Sequence, residues 1–293
     1  MGIYVKRGRP MSRPKTKILV DGGDPQETSR IRDLLGYVDG QTTNPSLVAN
    51  NPGIKQLLAS GHKLSGPEQM EEYRKIVEAI SPLIGEAGIS IEVFSDLKTT
   101  AEEMLAQARE MYGWASNAYI KYPCTAEGLR AAQASVELGM RINLTLCFSQ
   151  QQAAAVYAAT RGSRTPVYVS LFVGRLDDIG LNGLDLVKNV KRMFASGDGH
   201  ALVLAASLRT LDHLLCCFYE GAELATVPAK VLDLWEKEGS PLPDEGFECK
   251  VTGRPIPFEQ LNLEKSWETF DITHELTQKG LEKFVADYRK TID

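Results

Sequence analysis

Eight short β-rich runs follow one another along the chain, separated by segments of helical period, and this alternation limits the fold more than any other feature. The runs are Lys17–Asp21, Tyr37–Thr43, Ile89–Phe94, Ala118–Lys121, Arg141–Leu146, Val167–Leu171, Ala201–Ala206 and Ala222–Val227. Strands that alternate with helices pair in parallel through right-handed crossovers. Eight such units in one continuous series of 293 residues predict an α/β fold: a single closed (β/α)8 TIM barrel rather than a doubly wound open sheet. The expected domain spans 17–293. Residues 1–16 are basic and polar and read as a flexible N-terminal arm.

Local signals agree with the alternation. Thr99 and Glu102 stand three apart, as in a capping box, ahead of Met104, Leu105 and Ala108 at helical spacing. A helix is expected from Thr125 to Leu138, stopped by Gly139, another from Ser149 to about Thr160, and a third from Leu208 to Tyr219, ended by Gly221. From Gly239 to Pro257 the chain is rich in proline and glycine, which predicts an irregular surface excursion. A final amphipathic helix carries Leu276, Leu281, Phe284, Val285 and Tyr288 on one stripe. It is expected to cover the barrel or its mouth, or else to reach a neighbouring subunit.

Composition removes several function classes. The net charge of -5 argues against nucleic acid or an anionic membrane as partner, although a local cationic pocket remains compatible with it. No apolar run approaches the ~20 residues of a membrane span. The basic start lacks the apolar core of a secretory signal. The five cysteines (Cys124, Cys147, Cys216, Cys217, Cys249) form no regular framework and suit reduced thiols, so a cytoplasmic location is expected. The four histidines are scattered, which predicts neither a metal site nor a cofactor.

A parallel barrel gathers the C-terminal ends of its strands on one face, where active sites of this fold sit. The polar residues that this chain places there are Asp21, Thr43 and Asn44, Glu92, Lys121, Asn143 and Thr145, Ser170 with Phe172 and Arg175, Ser207 with Arg209, and Thr226. Asp21 also suits a turn with Gly22-Gly23, and Asn44-Pro45-Ser46 suits a helix cap. Glu92 is harder to explain structurally, because it interrupts an apolar strand and a buried carboxylate needs a partner. Asn143 and Thr145 share one face of their strand and likewise call for a polar interior partner. Lys121 supplies it. Held at the end of a strand, its amine is a candidate nucleophile, since burial in a barrel mouth favours the neutral form that attacks a carbonyl. Glu92, acting through Thr145 or a water, is a candidate acid for dehydrating the resulting carbinolamine. Asp21 is the free carboxylate for breaking the adjacent C–C bond. Arg175, Ser207 and Arg209 form a candidate phosphate subsite.

These residues resemble the transaldolase family. The resemblance rests on Asp39-Gly40-Gln41-Thr42-Thr43-Asn44-Pro45-Ser46-Leu47, on Ile120-Lys121-Tyr122-Pro123-Cys124-Thr125-Ala126-Glu127-Gly128-Leu129, and on Asn143-Leu144-Thr145-Leu146-Cys147-Phe148-Ser149. Phe172-Val173-Gly174-Arg175 and Ala206-Ser207-Leu208-Arg209 continue it, in order, over about residues 17 to 290. It implies a Schiff base on Lys121 and transfer of a dihydroxyacetone unit from a ketose phosphate to an aldose phosphate, in pentose phosphate metabolism. It further implies that Asp21 is the acid/base of aldol cleavage and that Glu92 and Thr145 serve the imine steps. Thr43, Asn44, Asn143, Ser170 and Phe172 would then contact the triose, and Arg175, Ser207 and Arg209 the phosphate. The ending Leu276–Phe284 is similar to that of shorter members, which assemble as homo-oligomers through this helix.

Two other readings stay open. A fructose 6-phosphate aldolase of the same family would release the triose without an acceptor, although Phe172 stands where those members carry tyrosine. A non-catalytic sugar-phosphate-binding barrel would not require an amine with two carboxylates.

Overall fold

Each of the eight predicted runs becomes a strand in the computed structural model, which describes residues 13–61, 63–250 and 253–292. The strands are β1 Lys17–Asp21, β2 Gly40–Thr42, β3 Gly88–Glu92, β4 Ala118–Pro123, β5 Ile142–Cys147, β6 Val167–Phe172, β7 Ala201–Ala206 and β8 Leu224–Val227. They pair in sequence order, all parallel, and the ring closes where Leu19 of β1 faces Thr226 of β8. Every residue of β3, β4, β5 and β6 is buried. That is the signature of strands covered on both faces, by helices outside and by packed side chains within.

The surrounding helices are α1 Pro25–Leu35, α2 Pro45–Ala49, α3 Pro52–Ala59, α4 Gly66–Ile80, α5 Ala101–Met111, α6 Ala126–Glu137, α7 Gln150–Ala159, α8 Val173–Asp177, α9 Gly183–Phe194, α10 Leu211–Tyr219, α11 Ala229–Lys237 and α12 Glu275–Arg289. Thr125 and Ser149 cap α6 and α7 as their spacing predicts, and Gly139 and Gly221 adopt left-handed φ after α6 and α10. Among the described residues no helix is long and apolar enough to cross a membrane.

Several boundaries differ from the sequence reading, three of them for an evident local reason. The capping box forms at Thr100 and Glu103, because Asp96 takes the Thr99 N–H and hydroxyl and delays the helix by one residue. Helix α10 starts at Leu211 rather than Leu208, since Ser207 has φ 58° and Thr210 provides the cap. Strand β2 is only three residues long, and Asp39 before it turns its carboxylate onto the Ile18 N–H. Of the arm read over 1–16, residues 1–12 lie outside the described residues. Arg13 pairs with Asp39 and stacks on Tyr37, and Thr16 is buried.

The proline-rich excursion is a strap with defined anchors. Trp235 donates to the Pro241 carbonyl at 2.9 Å, and the Phe247 ring packs on Tyr219 of α10. The Arg254 N–H donates to the Gly180 carbonyl and its carbonyl accepts from the Asn182 N–H. Asp185 and Asn189 of α9 hold the two backbone groups of Ile256, and Gln150 of α7 binds the Pro257 carbonyl. Prolines suit such a strap, because side-chain amides satisfy its carbonyls without a ladder of N–H donors. The strap runs along the outside of α10, α9 and α7 and delivers α12 to the barrel mouth. There Thr277 donates to the Leu146 carbonyl at 2.9 Å, and at the other end Ser46 donates to Asp287. Helix α12 therefore roofs the C-terminal face. A Cβ at Gly280 would stand 2.6 Å from Leu146 and 2.7 Å from Arg175, so a glycine permits this close approach.

Gly128 closes α6 against the strand that carries Lys121, and a Cβ there would lie 2.0 Å from the Pro123 carbonyl oxygen. Gly128→Ala is expected to destabilise the fold by about 1–3 kcal/mol in urea unfolding, because backbone must move. Gly66→Ala, in open space at the start of α4, should be neutral or stabilising by up to ~1 kcal/mol. Equal stabilities for the two variants would refute this packing argument.

Candidate active site

The register of the barrel brings Glu92, Lys121 and Asn143 side by side as consecutive Cα partners on β3, β4 and β5. Alternate strand residues point to the same face, so the three side chains share the barrel interior. Lys121 is 4% exposed and Glu92 2%, and the ammonium Nζ stands 2.8 Å from Glu92 Oε2. The contact is an ion pair without hydrogen-bond alignment, which leaves Glu92 Oε2 otherwise unpartnered. The Lys121 amine instead donates to the Thr43 carbonyl at 3.0 Å. Burial raises the Glu92 carboxyl above its ordinary value, and Lys121 opposes that rise.

Asp21 enters from β1. Thr42 donates to its Oδ1 at 3.1 Å, and since that spends the Thr42 proton, the 2.6 Å contact to Thr226 is donated by Thr226. Asp21 keeps a partial opening to the cleft, yet protein surrounds its carboxyl. Burial raises its pKa, while Lys121, the Thr42 hydrogen bond and Arg175 pull the other way. Asn143 donates to Ser90 Oγ at 3.0 Å and accepts from Ser170 at 2.7 Å. Thr145 is fully buried and its hydroxyl has no protein partner. A buried hydroxyl left in that state is suited to a bound water or a ligand hydroxyl.

A cavity of about 100 Å³ opens above Lys121, lined by Asp21, Asn44, Arg175, Ser207, Phe172 and Phe284 among others. Asn44 caps α2 by accepting the Leu47 N–H, which leaves its NH₂ as the group available to a ligand. The Arg175 guanidinium lies 5.0 Å from the Phe172 ring centroid and 5.6 Å from that of Phe284, and no carboxylate stands within ion-pair distance of it among the described residues. Burial holds it below its ordinary pKa, and Glu92 acts in the opposite sense. A half-buried, carboxylate-free guanidinium between two aromatic faces is a strong anion receptor.

Most of the residues read from the sequence meet in this one region, but in different capacities. Asp21, Asn44, Lys121, Ser170, Phe172, Arg175 and Ser207 line the cavity, whereas Glu92, Asn143 and Thr145 lie beneath it. The Thr43 hydroxyl is turned to Ser90 and Tyr73, and only its carbonyl reaches Lys121. Arg209 stands outside the lining, paired with Asp178 on the exposed rim. Thr42, Thr226 and Phe284 line the cavity without having been assigned a site role. For Thr42 and Thr226 the strand-end rule held the signal. For Phe284 the apolar stripe of α12 pointed only to packing.

A family model described as Transaldolase/Fructose-6-phosphate aldolase matches residues 18–293. A protein of Maricaulis maris named Probable transaldolase is 33% identical over 256 residues, covering 87% of this chain and 89% of the relative. A Bacillus cereus protein named Probable transaldolase 1 is 33% identical over 275 residues, covering 94% and 98%. Among solved structures, a mutant tryptophan synthase α-subunit of Pyrococcus furiosus aligns at a TM-score of 0.46 and 14% identity, covering 94% of this chain and 98% of that one. With a match from the first barrel strand to the last residue, and relatives one-third identical over most of its length, this chain belongs to the transaldolase/fructose-6-phosphate aldolase family.

Proposed function

We propose that the protein is a transaldolase that carries a dihydroxyacetone unit on Lys121 between sugar phosphates. The observation that carries this reading is the buried Lys121–Glu92 contact at 2.8 Å, set beneath a cleft that also holds Asp21 and Arg175. Burial favours the protonated form of the Glu92 carboxyl, and passing the Nζ proton to it gives a free amine and a neutral acid together. The amine adds to the ketose C2 carbonyl and forms a carbinolamine. Glu92 then returns its proton to the departing hydroxyl, water leaves, and a protonated imine remains beside the Glu92 carboxylate. The Thr145 hydroxyl suits the water or hydroxyl in transit.

Asp21 next takes the proton of the C4 hydroxyl. The C3–C4 bond breaks, its electron pair enters the imine to give an enamine, and the aldose phosphate departs. An acceptor aldose phosphate, such as erythrose 4-phosphate or glyceraldehyde 3-phosphate, receives the pair at its carbonyl carbon while Asp21 protonates the new hydroxyl. Water then hydrolyses the new imine, releasing the product ketose phosphate and the free Lys121 amine. The donor that enters the first step is a ketose phosphate such as sedoheptulose 7-phosphate or fructose 6-phosphate. Arg175 and Ser207 take the phosphate by charge-assisted hydrogen bonds, and Arg209 joins them by exchanging Asp178 for the ligand.

Borohydride added with fructose 6-phosphate should fix a reduced triose mass on Lys121, found by peptide mass spectrometry, and none on Lys121→Arg. An unmodified Lys121 peptide would leave a binding barrel as the better description. Cleavage should speed up at least tenfold when erythrose 4-phosphate is present. Equal rates with and without that acceptor would reassign the protein to the aldolase side of the family.

The raised Asp21 pKa gives a pH prediction whose sign is fixed. Aldol cleavage needs the carboxylate, so kcat/KM should fall as pH drops through a value above the ordinary ~3.9 of aspartate. Asp21→Asn should lower cleavage about 10²–10⁴-fold while still forming the imine. A raised folded-state pKa means that ionisation costs stability, a cost absent below the ordinary aspartate pKa and complete above the raised one. Asp21→Asn should accordingly raise Tm at pH 7, and this gain should vanish toward pH 3. A Tm at pH 7 below that of the unmodified protein would contradict the assignment of Asp21 as a destabilised base.

A further inference from the structure

Strand β2 ends after Thr42, where the chain turns away into the α2 cap, so the upper part of β3 loses its neighbour on that side. The Thr43 N–H still reaches the Ser90 carbonyl, but the N–H of Glu92 has no strand acceptor there. A side chain from outside the barrel takes it. Tyr73 of α4, 6% exposed, accepts the Glu92 N–H on its phenol oxygen at 2.9 Å. Thr43 spends its own hydroxyl proton on the Ser90 carbonyl at 2.8 Å, so the short Tyr73–Thr43 contact has the phenol as donor. The Thr43 carbonyl in turn holds the Lys121 amine at 3.0 Å. One phenol thus ties the backbone that carries the acid to the residue that holds the nucleophile.

We infer that Tyr73 is a positioning residue for imine formation, fixing the Glu92 backbone and the Thr43 carbonyl so that acid and amine stay in register. The inference rests on the imine reading of Lys121 and extends it to a helix that touches no part of the cavity. Two features separate Tyr73 from an ordinary core tyrosine. Its hydroxyl fills a gap in the ladder at the strand that carries Glu92, and the two groups it joins are the Glu92 backbone N–H and the hydroxyl of Thr43, whose carbonyl holds the Lys121 amine. Its ring is fixed independently by an edge-on contact with Trp114, centroids 5.6 Å apart at 72°. Displacing reacting groups by about 1 Å costs on the order of 10²-fold in rate, so loss of the phenol should act on the step rather than on binding.

Tyr73→Phe keeps the ring and removes only the tie. The full-length variant should lose roughly 10–100-fold in kcat, and the rate of borohydride trapping at Lys121 should fall in the same proportion. KM for fructose 6-phosphate and inhibition by inorganic phosphate should stay within about twofold, because Arg175 and Ser207 lie across the cavity. Trp114→Phe, which loosens the ring but keeps the phenol, should leave the trapping rate near that of the unmodified protein. If Tyr73→Phe fails to fold, Thr43→Val removes the acceptor of the phenol while keeping the carbonyl, and the same loss confined to kcat is expected. A trapping rate unchanged in the phenol and threonine variants would overturn the inference. So would a parallel collapse of kcat and phosphate inhibition, or an equal loss in Trp114→Phe, since each describes packing alone. Absence of any adduct on the unmodified protein would instead strike the imine reading itself.

Discussion

A lysine and a glutamate lie buried in contact inside this barrel, and the polar site is arranged around them. Removing two such ions from water costs several kcal/mol each, and their attraction repays that cost only with good geometry and further hydrogen bonds. The barrel satisfies this condition unevenly. Lys121 has the Thr43 carbonyl as well as Glu92, but Glu92 Oε2 has nothing besides the amine, and the nearby Thr145 hydroxyl has no partner. A fold selected for stability alone would replace this pair with apolar side chains. Its presence on adjacent strands fits the proton exchange proposed for imine formation.

Strand order translates into an order of chemical roles around the cavity. Glu92 and Lys121 come from β3 and β4, and the polar pair of β5 lies beside them. Asp21 arrives from β1 with Thr42 of β2 as its partner, Thr42 itself being held by Thr226 of β8, and the cationic end is built where β6 and β7 run into α8 and the Ser207 turn. Lys121, Asp21 and Arg175 therefore share one short cleft, and the proposed mechanism makes them nucleophile, cleavage base and phosphate receptor. That grouping suits a substrate with a carbonyl near one end and a phosphate at the other.

Most of this arrangement was legible in the sequence, because two rules carried it. Strand-helix alternation gave the barrel, and the strand-end rule gave Asp21, Glu92, Lys121, Asn143, Ser170 and Arg175 without any coordinates. What stayed hidden depended on contacts between residues distant in sequence. Arg209 reads as a ligand for phosphate because nothing nearby in sequence announces that Asp178, 31 residues away, holds it. Tyr73 sits in an amphipathic stripe with Ile76, Val77 and Ile80, so its periodicity is that of a core residue and its phenol gives no signal. Thr43 reads as a contact of the triose, and its carbonyl instead accepts from the Lys121 amine while its hydroxyl is turned to Ser90 and Tyr73. The shift of the capping box by one residue has the same origin on a smaller scale, since Asp96 competes for Thr99.

The roof over the mouth shows where stability has been exchanged for shape. Leu146 and Ser207, neither of them glycine, adopt φ of 59° and 58° at the ends of β5 and β7. Left-handed backbone at such residues costs on the order of 1–2 kcal/mol apiece. At Leu146 the turn coincides with the register irregularity between β5 and β6 and presents its carbonyl to Thr277, which docks α12. At Ser207 it presents a carbonyl to the N–H of Gly174, drawing the start of α8 inward so that Arg175 reaches the cavity. Both strained turns thus serve the same end. They bring Arg175 against Gly280 and Phe284, where apolar cover would strengthen its field on the phosphate proposed for this end of the cleft. A relaxed backbone at either position would leave the guanidinium nearer to water and the cleft without its roof.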